Sequence, residues 1–211
     1  KKLDPQVYQD CTTPTDGMII TQNTVFCPGE YTIPNGISIG ANGVSLDCNN
    51  ATLKQGNPYE NEINGISLIG ISLSTVKNCN LGDYRKGVYL ESATGNKISN
   101  IYSNLDSIIE GIVLTLSTDN LINDNSFIGI GPGFKLDSSP SNTITNNFVR
   151  AGVDSGDIKD SDNLIIYNNN FGSGGGAGGG DFEIRTSSSI NFSNNIVLNL
   201  IWPISMAFAV L

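Results

Sequence analysis

No histidine occurs among the 211 residues. Its absence removes the commonest general base and the commonest transition-metal ligand at once. Methionine is nearly as scarce, Met18 and Met206 being the only two, so a site of soft ligands has little to build on. Charged residues make up 15 % of the chain, well below the roughly 25 % of an average soluble protein. Basic residues number 11 against 20 acidic ones, for a net charge of −9. A chain without a basic stripe cannot neutralise a phosphate backbone, which excludes nucleic acid as a partner and disfavours anionic membrane surfaces. The four cysteines form no Cys-x-x-Cys pair, so zinc and dithiol redox motifs are missing too. No run reaches the about 20 apolar residues of a spanning helix, so no membrane span is expected.

In place of Lys and Glu the chain carries 27 Asn and 24 Gly. Both rank low in helix propensity, and Asn competes for backbone hydrogen bonds, so a mostly β chain with many turns follows. The 38 % apolar fraction is enough for a real core.

A repeat organises this material. Gly, apolar, any, apolar recurs at Gly36-Ile37-Ser38-Ile39, Gly65-Ile66-Ser67-Leu68, Gly87-Val88-Tyr89-Leu90, Gly111-Ile112-Val113-Leu114 and Gly133-Phe134-Lys135-Leu136. From Gly65 the steps are 22, 24 and 22 residues. A second marker, Asn-any-Ile or Val, keeps the same period at Asn96, Asn120, Asn142 and Asn163, after a first occurrence at Asn42. That period is too short for a helical hairpin, and the apolar alternation has period two, so each unit must be strands joined by turns. One such unit cannot bury its own apolar face; stacking each strand on its equivalent one period away does so. The expected fold is therefore all-β, a single parallel β-helix of about 22 to 24 residues per coil. Residues 1–35 are expected to form an N-terminal cap, 36–195 the coils, and 196–211 an apolar closing strand.

Seventeen residues should point inward: Ile37, Ile39, Val44, Leu46, Ile66, Leu68, Val76, Val88, Leu90, Ile98, Ile112, Leu114, Ile122, Phe134, Leu136, Ile144 and Ile165. The step from Gly36 to Gly65 is 29, which predicts a lateral loop over 56–61, and the glycine-rich stretch 172–180 predicts a second. Near Gly156 and Gly180 the apolar residues fall one place late, at Ile158, Phe182 and Ile184, which marks a register to check.

These repeats resemble the right-handed parallel β-helix coils shared by pectate-lyase-like proteins, by the periplasmic copper-pathway protein of nitrous oxide reduction and by many microbial surface proteins. Ile37 to Cys48 and Ser74 to Cys79 are especially similar to the extracellular, non-enzymatic members. The resemblance covers about Cys11 to Ile196 and speaks to fold, since the repeat residues are structural. Its enzymes imply calcium-binding acids with a catalytic Arg or Lys, or an Asp cluster. Here Arg85, Arg150 and Arg185 sit in three separate repeats. Asp154, Asp157, Asp160 and Asp162 form the one acid cluster and are the calcium candidates, although solvated turns explain them better because no EF-hand or nonapeptide pattern is present. Copper delivery has neither imidazole nor more than two thioethers to use. No catalytic set and no cofactor emerge.

The even cysteine count fits an oxidising compartment. Cys11 and Cys27 flank a short segment ahead of the first complete coil and are expected to be linked. Cys48 and Cys79 lie near equivalent places of successive units but one residue out of register, with Cys48 opposite Asn78, so a second bridge and two free thiols are both open to them. Sequons at Asn50 and Asn191 permit glycosylation.

From Ile196 onward the chain is apolar on both faces, through Leu198, Leu200, Ile201, Trp202, Ile204, Met206, Phe208, Val210 and Leu211. Capping of the last coil and self-association are the two uses open to it, because a solenoid end is an exposed strand edge. The combined reading is a secreted or cell-surface structural or adhesive solenoid forming a homo-oligomer or filament through its ends, with surface carbohydrate as a further partner. A carbohydrate-active enzyme or sugar-binding module is the alternative.

Overall fold

The computed structural model describes residues 11–56, 63–104, 110–129, 131–151, 154–173, 182–197 and 200–201. Among them there is no helix, and every strand pairing is parallel, in a nine-stranded and a fourteen-stranded sheet. Successive strands of each sheet come from successive coils, which is a parallel β-solenoid. Within the segment expected as a cap, Ile19–Ile20 already pairs with Ile37–Ile39. At the other end Leu200–Ile201 pairs with Phe182–Arg185. Residues 57–61 and 174–180 of the two expected loops lie outside the described residues.

Three corners per coil turn the strands, and each corner carries one left-handed residue. One row is Gly70, Ser92, Leu116, Ser138, Asp160 and Thr186; the next is Leu73, Gly95, Asp119, Ser141, Asn163 and Ser189; the third is Asn78, Asn100, Asp124, Asn146, Asn168 and Asn194. Asn and Asp enter this region more easily than other residues bearing a Cβ, because their short polar side chains bond locally. The third row, Asn at five of its six rungs, shows what the asparagine surplus is for.

The residue after each left-handed one points inward, and there the polar corners are satisfied by the next coil. Asn125, Asn147, Asn169 and Asn195 form one ladder. The Asn147 oxygen accepts the Asn125 amide side chain at 2.9 Å and the Asn125 backbone N–H at 2.9 Å, and Asn147 repeats both bonds on Asn169. Asn96, Asn120 and Asn142 do the same at a second corner. At the third, the hydroxyl of Ser117, Ser139, Ser161 or Ser187 accepts the backbone N–H of the preceding rung at 2.9 to 3.1 Å. All but Asn195 and Ser187 in these ladders are at most 2 % exposed.

Sixteen of the seventeen expected core residues are buried. Ile165 is the exception. It is 46 % exposed, and Ile166 takes the inward place against Ile144. The repeat marker aligned Asn163 with Asn142, whereas the strands align Leu164 with it, since Thr143 faces Ile165. A buried leucine thus replaces the last amide of that ladder, and a slip of one residue reverses which side chain faces the core. The same shift explains Gly156, which occupies the place of Phe134 in the core lane. A Cβ there would lie 2.4 Å from the Phe182 ring, so the aromatic of the following coil fills the space. The repeat glycines answer a different constraint. A Cβ on Gly65, Gly87 or Gly111 would sit 2.4 to 2.7 Å from the carbonyl oxygen of the next glycine in the row.

Both disulfides are formed, Cys11 to Cys27 and Cys48 to Cys79. The second overcomes its register offset because the earlier coil holds two extra residues at that corner: Asp47 faces Lys77, yet Thr52 faces Asn80. Cys48 and Cys79 are both fully buried, and the same inward place is taken by Ile101 one coil later and by Asn125 after that.

Two outcomes follow. Asn147→Ala strips the Asn125 backbone and side-chain donors of their acceptor, and the global stability should fall by about 2 to 4 kcal/mol in urea titration. Ile112→Asp should prevent cooperative folding of the neighbouring coils by burying an unpaired carboxylate, while Ile165→Asp should change the melting temperature little.

Candidate functional site

Charge concentrates on the outward face of the nine-stranded sheet. Its strands Lys86–Glu91, Glu110–Thr115, Phe134–Asp137, Gly156–Lys159 and Phe182–Arg185 carry nine charged side chains, and in-register stacking sets them side by side. Asn64, Lys86 and Glu110 are successive rungs of one row; Ser67, Tyr89, Val113, Lys135, Asp157 and Glu183 form the adjacent row.

The two rows meet through side chains. Asn64 donates to the Ser67 hydroxyl at 3.2 Å, and the Lys86 ammonium lies 4.6 Å above the Tyr89 ring centre. Glu110, whose side chain is 8 % exposed, pairs with Lys135 at 3.1 Å. Burial, with Glu91 nearby, raises the Tyr89 phenol above its ordinary range although Thr115 opposes the shift. The Asn64 oxygen is buried and makes no hydrogen bond. Farther along, Arg185 bonds Asp157 and approaches Glu183 at 3.6 Å, and the Asp157 bond holds its guanidinium more basic than usual. The sequence reading passed over this cluster. Its signal was present in the residue that precedes each repeat glycine, namely Asn64, Lys86 and Glu110.

Three of the four candidate calcium ligands each bond a different side chain of the following coil. Asp157 accepts from the Arg185 guanidinium, Asp160 accepts from Thr186, and Asp162 accepts the Ser188 hydroxyl at 2.8 Å. Asp154 contributes to the field at Arg185. Among the described residues no three His, Cys, Asp or Glu come together as a metal site. Hydrolysis of a sugar bond needs one carboxyl held above its usual range. Two carboxyls among the described residues, Asp47 and Asp160, are held below their usual range: at Asp47 burial is outweighed by bonds from Asn78, the Asn49 N–H and Lys77, and at Asp160 the Thr186 hydroxyl leads. A small cavity of about 10 Å³, bordered by Ser103, Phe127 and Val149, has room for a water.

Asn50 and Asn191 are both exposed. In the closing segment Ile196 is 61 % exposed while Val197 packs on the core. Leu200 and Ile201 form the last strand. Leu198, Trp202, Ile204, Met206, Phe208, Val210 and Leu211 lie outside the described residues.

Asp47 gives a pH prediction. Its folded value lies below that of the unfolded chain, so its contribution is complete above pH about 4 and is lost as pH falls through the folded value. Melting temperature measured from pH 7 to pH 2 should therefore drop less steeply on the acid side in Asp47→Asn than in the parent.

The family model described as periplasmic copper-binding protein (NosD) matches residues 9–206. No curated protein and no solved structure matches the chain. The donor set does not fit copper: histidine is absent, all four cysteines are in disulfides, Met18 packs against the core, and Met206 is the only other thioether. The disulfides and the periplasmic family together place the chain outside the reducing cytoplasm. With a parallel β-solenoid built from these repeats and a family match over nearly the whole length, the chain belongs to the NosD family.

Proposed function

We propose that this chain is a structural or adhesive solenoid of the cell exterior, a rigid rod that associates end to end with further copies of itself. The observation that carries the reading is where the polar groups go. Inward amides and hydroxyls are spent on coil-to-coil ladders, and outward charges such as Glu110 with Lys135 and Asp157 with Arg185 pair across rungs. Such bonds stiffen a rod; nine rungs give it a length of roughly 40 Å. Its ends favour contact between copies, because Ile19–Ile20 and Leu200–Ile201 are the outermost strands of the nine-stranded sheet among the described residues, each with an edge that another strand can extend. A head-to-tail contact of this kind does not close on itself unless its rotation happens to form a ring.

The test is particle mass by sedimentation across a hundredfold range of concentration, for the full chain and for a form lacking residues 200–211, the last strand included. The full chain should grow with concentration and the shortened one should remain small. A full chain that stays monomeric throughout defeats the assembly reading.

A further inference from the structure

One row on the other sheet has an alternation that stacking alone does not require. Tyr102, Ser126, Phe148, Asn170 and Ile196 are successive rungs of a single outward row. The first, third and fifth are apolar and well exposed, at 40 %, 39 % and 61 %, and the two between them are polar. The five strands that carry the row, Lys97–Asn104, Ser126–Gly129, Phe148–Ala151, Asn170–Ser173 and Ile196–Val197, hold two charged residues, Arg150 and, at the far end of its strand from Tyr102, Lys97, against nine on the five strands of the other sheet described above.

We infer that this row binds an extended, uncharged β-1,4-linked glycan lying along the solenoid axis. Apolar rungs two coils apart are separated by about 9.6 Å. In a β-1,4-linked chain each sugar is turned over relative to its neighbour, so the same face returns every second sugar, over about that distance. The C–H face of a sugar packs on an aromatic ring, while its ring-edge hydroxyls need short polar partners. Tyr102 and Phe148 supply the rings, Ile196 continues the apolar series, and Ser126 and Asn170 supply polar groups at the intervening rungs. Neutrality sets the class: a chain of net charge −9 repels an acidic polymer, and two cations are too little to offset that. This inference rests on the adhesive reading and gives it a partner.

The experiment measures retention of the purified full chain on chitin, cellulose, starch granules and a polygalacturonate gel. Retention on chitin or cellulose, with starch and polygalacturonate passing the protein, is the expected result. Tyr102→Ala combined with Phe148→Ala should weaken retention roughly tenfold, whereas Tyr167→Ala, exposed in a different row, should not. Thermal melting verifies that each variant is folded; Phe148→Thr, which keeps a strand-forming residue, is the substitute if the double variant is not. Failure to bind either β-1,4 glycan overturns the inference, as does equal retention on starch or polygalacturonate, or a folded double variant that binds like the parent. Retention is scored per chain, so a protein that binds glycan without assembling sinks the filament alone, and one that assembles without binding sinks only the glycan.

Discussion

Everything in this molecule depends on successive coils stacking in register at the spacing of one strand. A polar group turned inward at a corner is cut off from bulk water and is satisfied by its equivalent in the neighbouring coil together with nearby backbone carbonyls. Asparagine meets that demand because one side chain both accepts and donates. Asn147 takes two hydrogen bonds from Asn125 and gives its own to Asn169 and to the carbonyls of Ile122 and Thr145. The ladders therefore do for the corners what backbone pairing does for the strands. Where a ladder is missing, another device stands in the same place: the Cys48 to Cys79 bond near the start, Ile101 next, Leu164 at the second corner.

In-register stacking also gathers chemistry on the surface, since each row presents one residue per coil at fixed intervals. The nine-stranded sheet collects charge, with Glu110 held against Lys135 and Asp157 against Arg185. The opposite side collects neutral polar and aromatic groups. The family match covers the solenoid, whose repeat residues are structural, and the donors of this chain suit no copper site although the matching family model is described as copper-binding.

The fold was legible because two markers kept one period, and a period of about 22 with two-residue alternation leaves few architectures open. Corner geometry was legible in part, through the surplus of Asn. Register near Asn163 was not, because Asn163 resembles Asn142 yet occupies the left-handed corner itself, with Leu164 inside. The charged cluster around Glu110 was missed for another reason. Asn64, Lys86 and Glu110 are more than twenty residues apart in sequence and of three chemical types, so they become neighbours only once the coils are counted into register.

The central claim is that the buried amide ladders are closed in solution and hold the coils together. Hydrogen exchange of the asparagine side-chain amides, followed by NMR, tests it most directly. Protons on the Asn125, Asn147 and Asn169 side chains should exchange about as slowly as the backbone N–H groups of the core strands, while those of exposed Asn194 exchange quickly. Fast exchange at all four, with the strands still protected, would contradict the account.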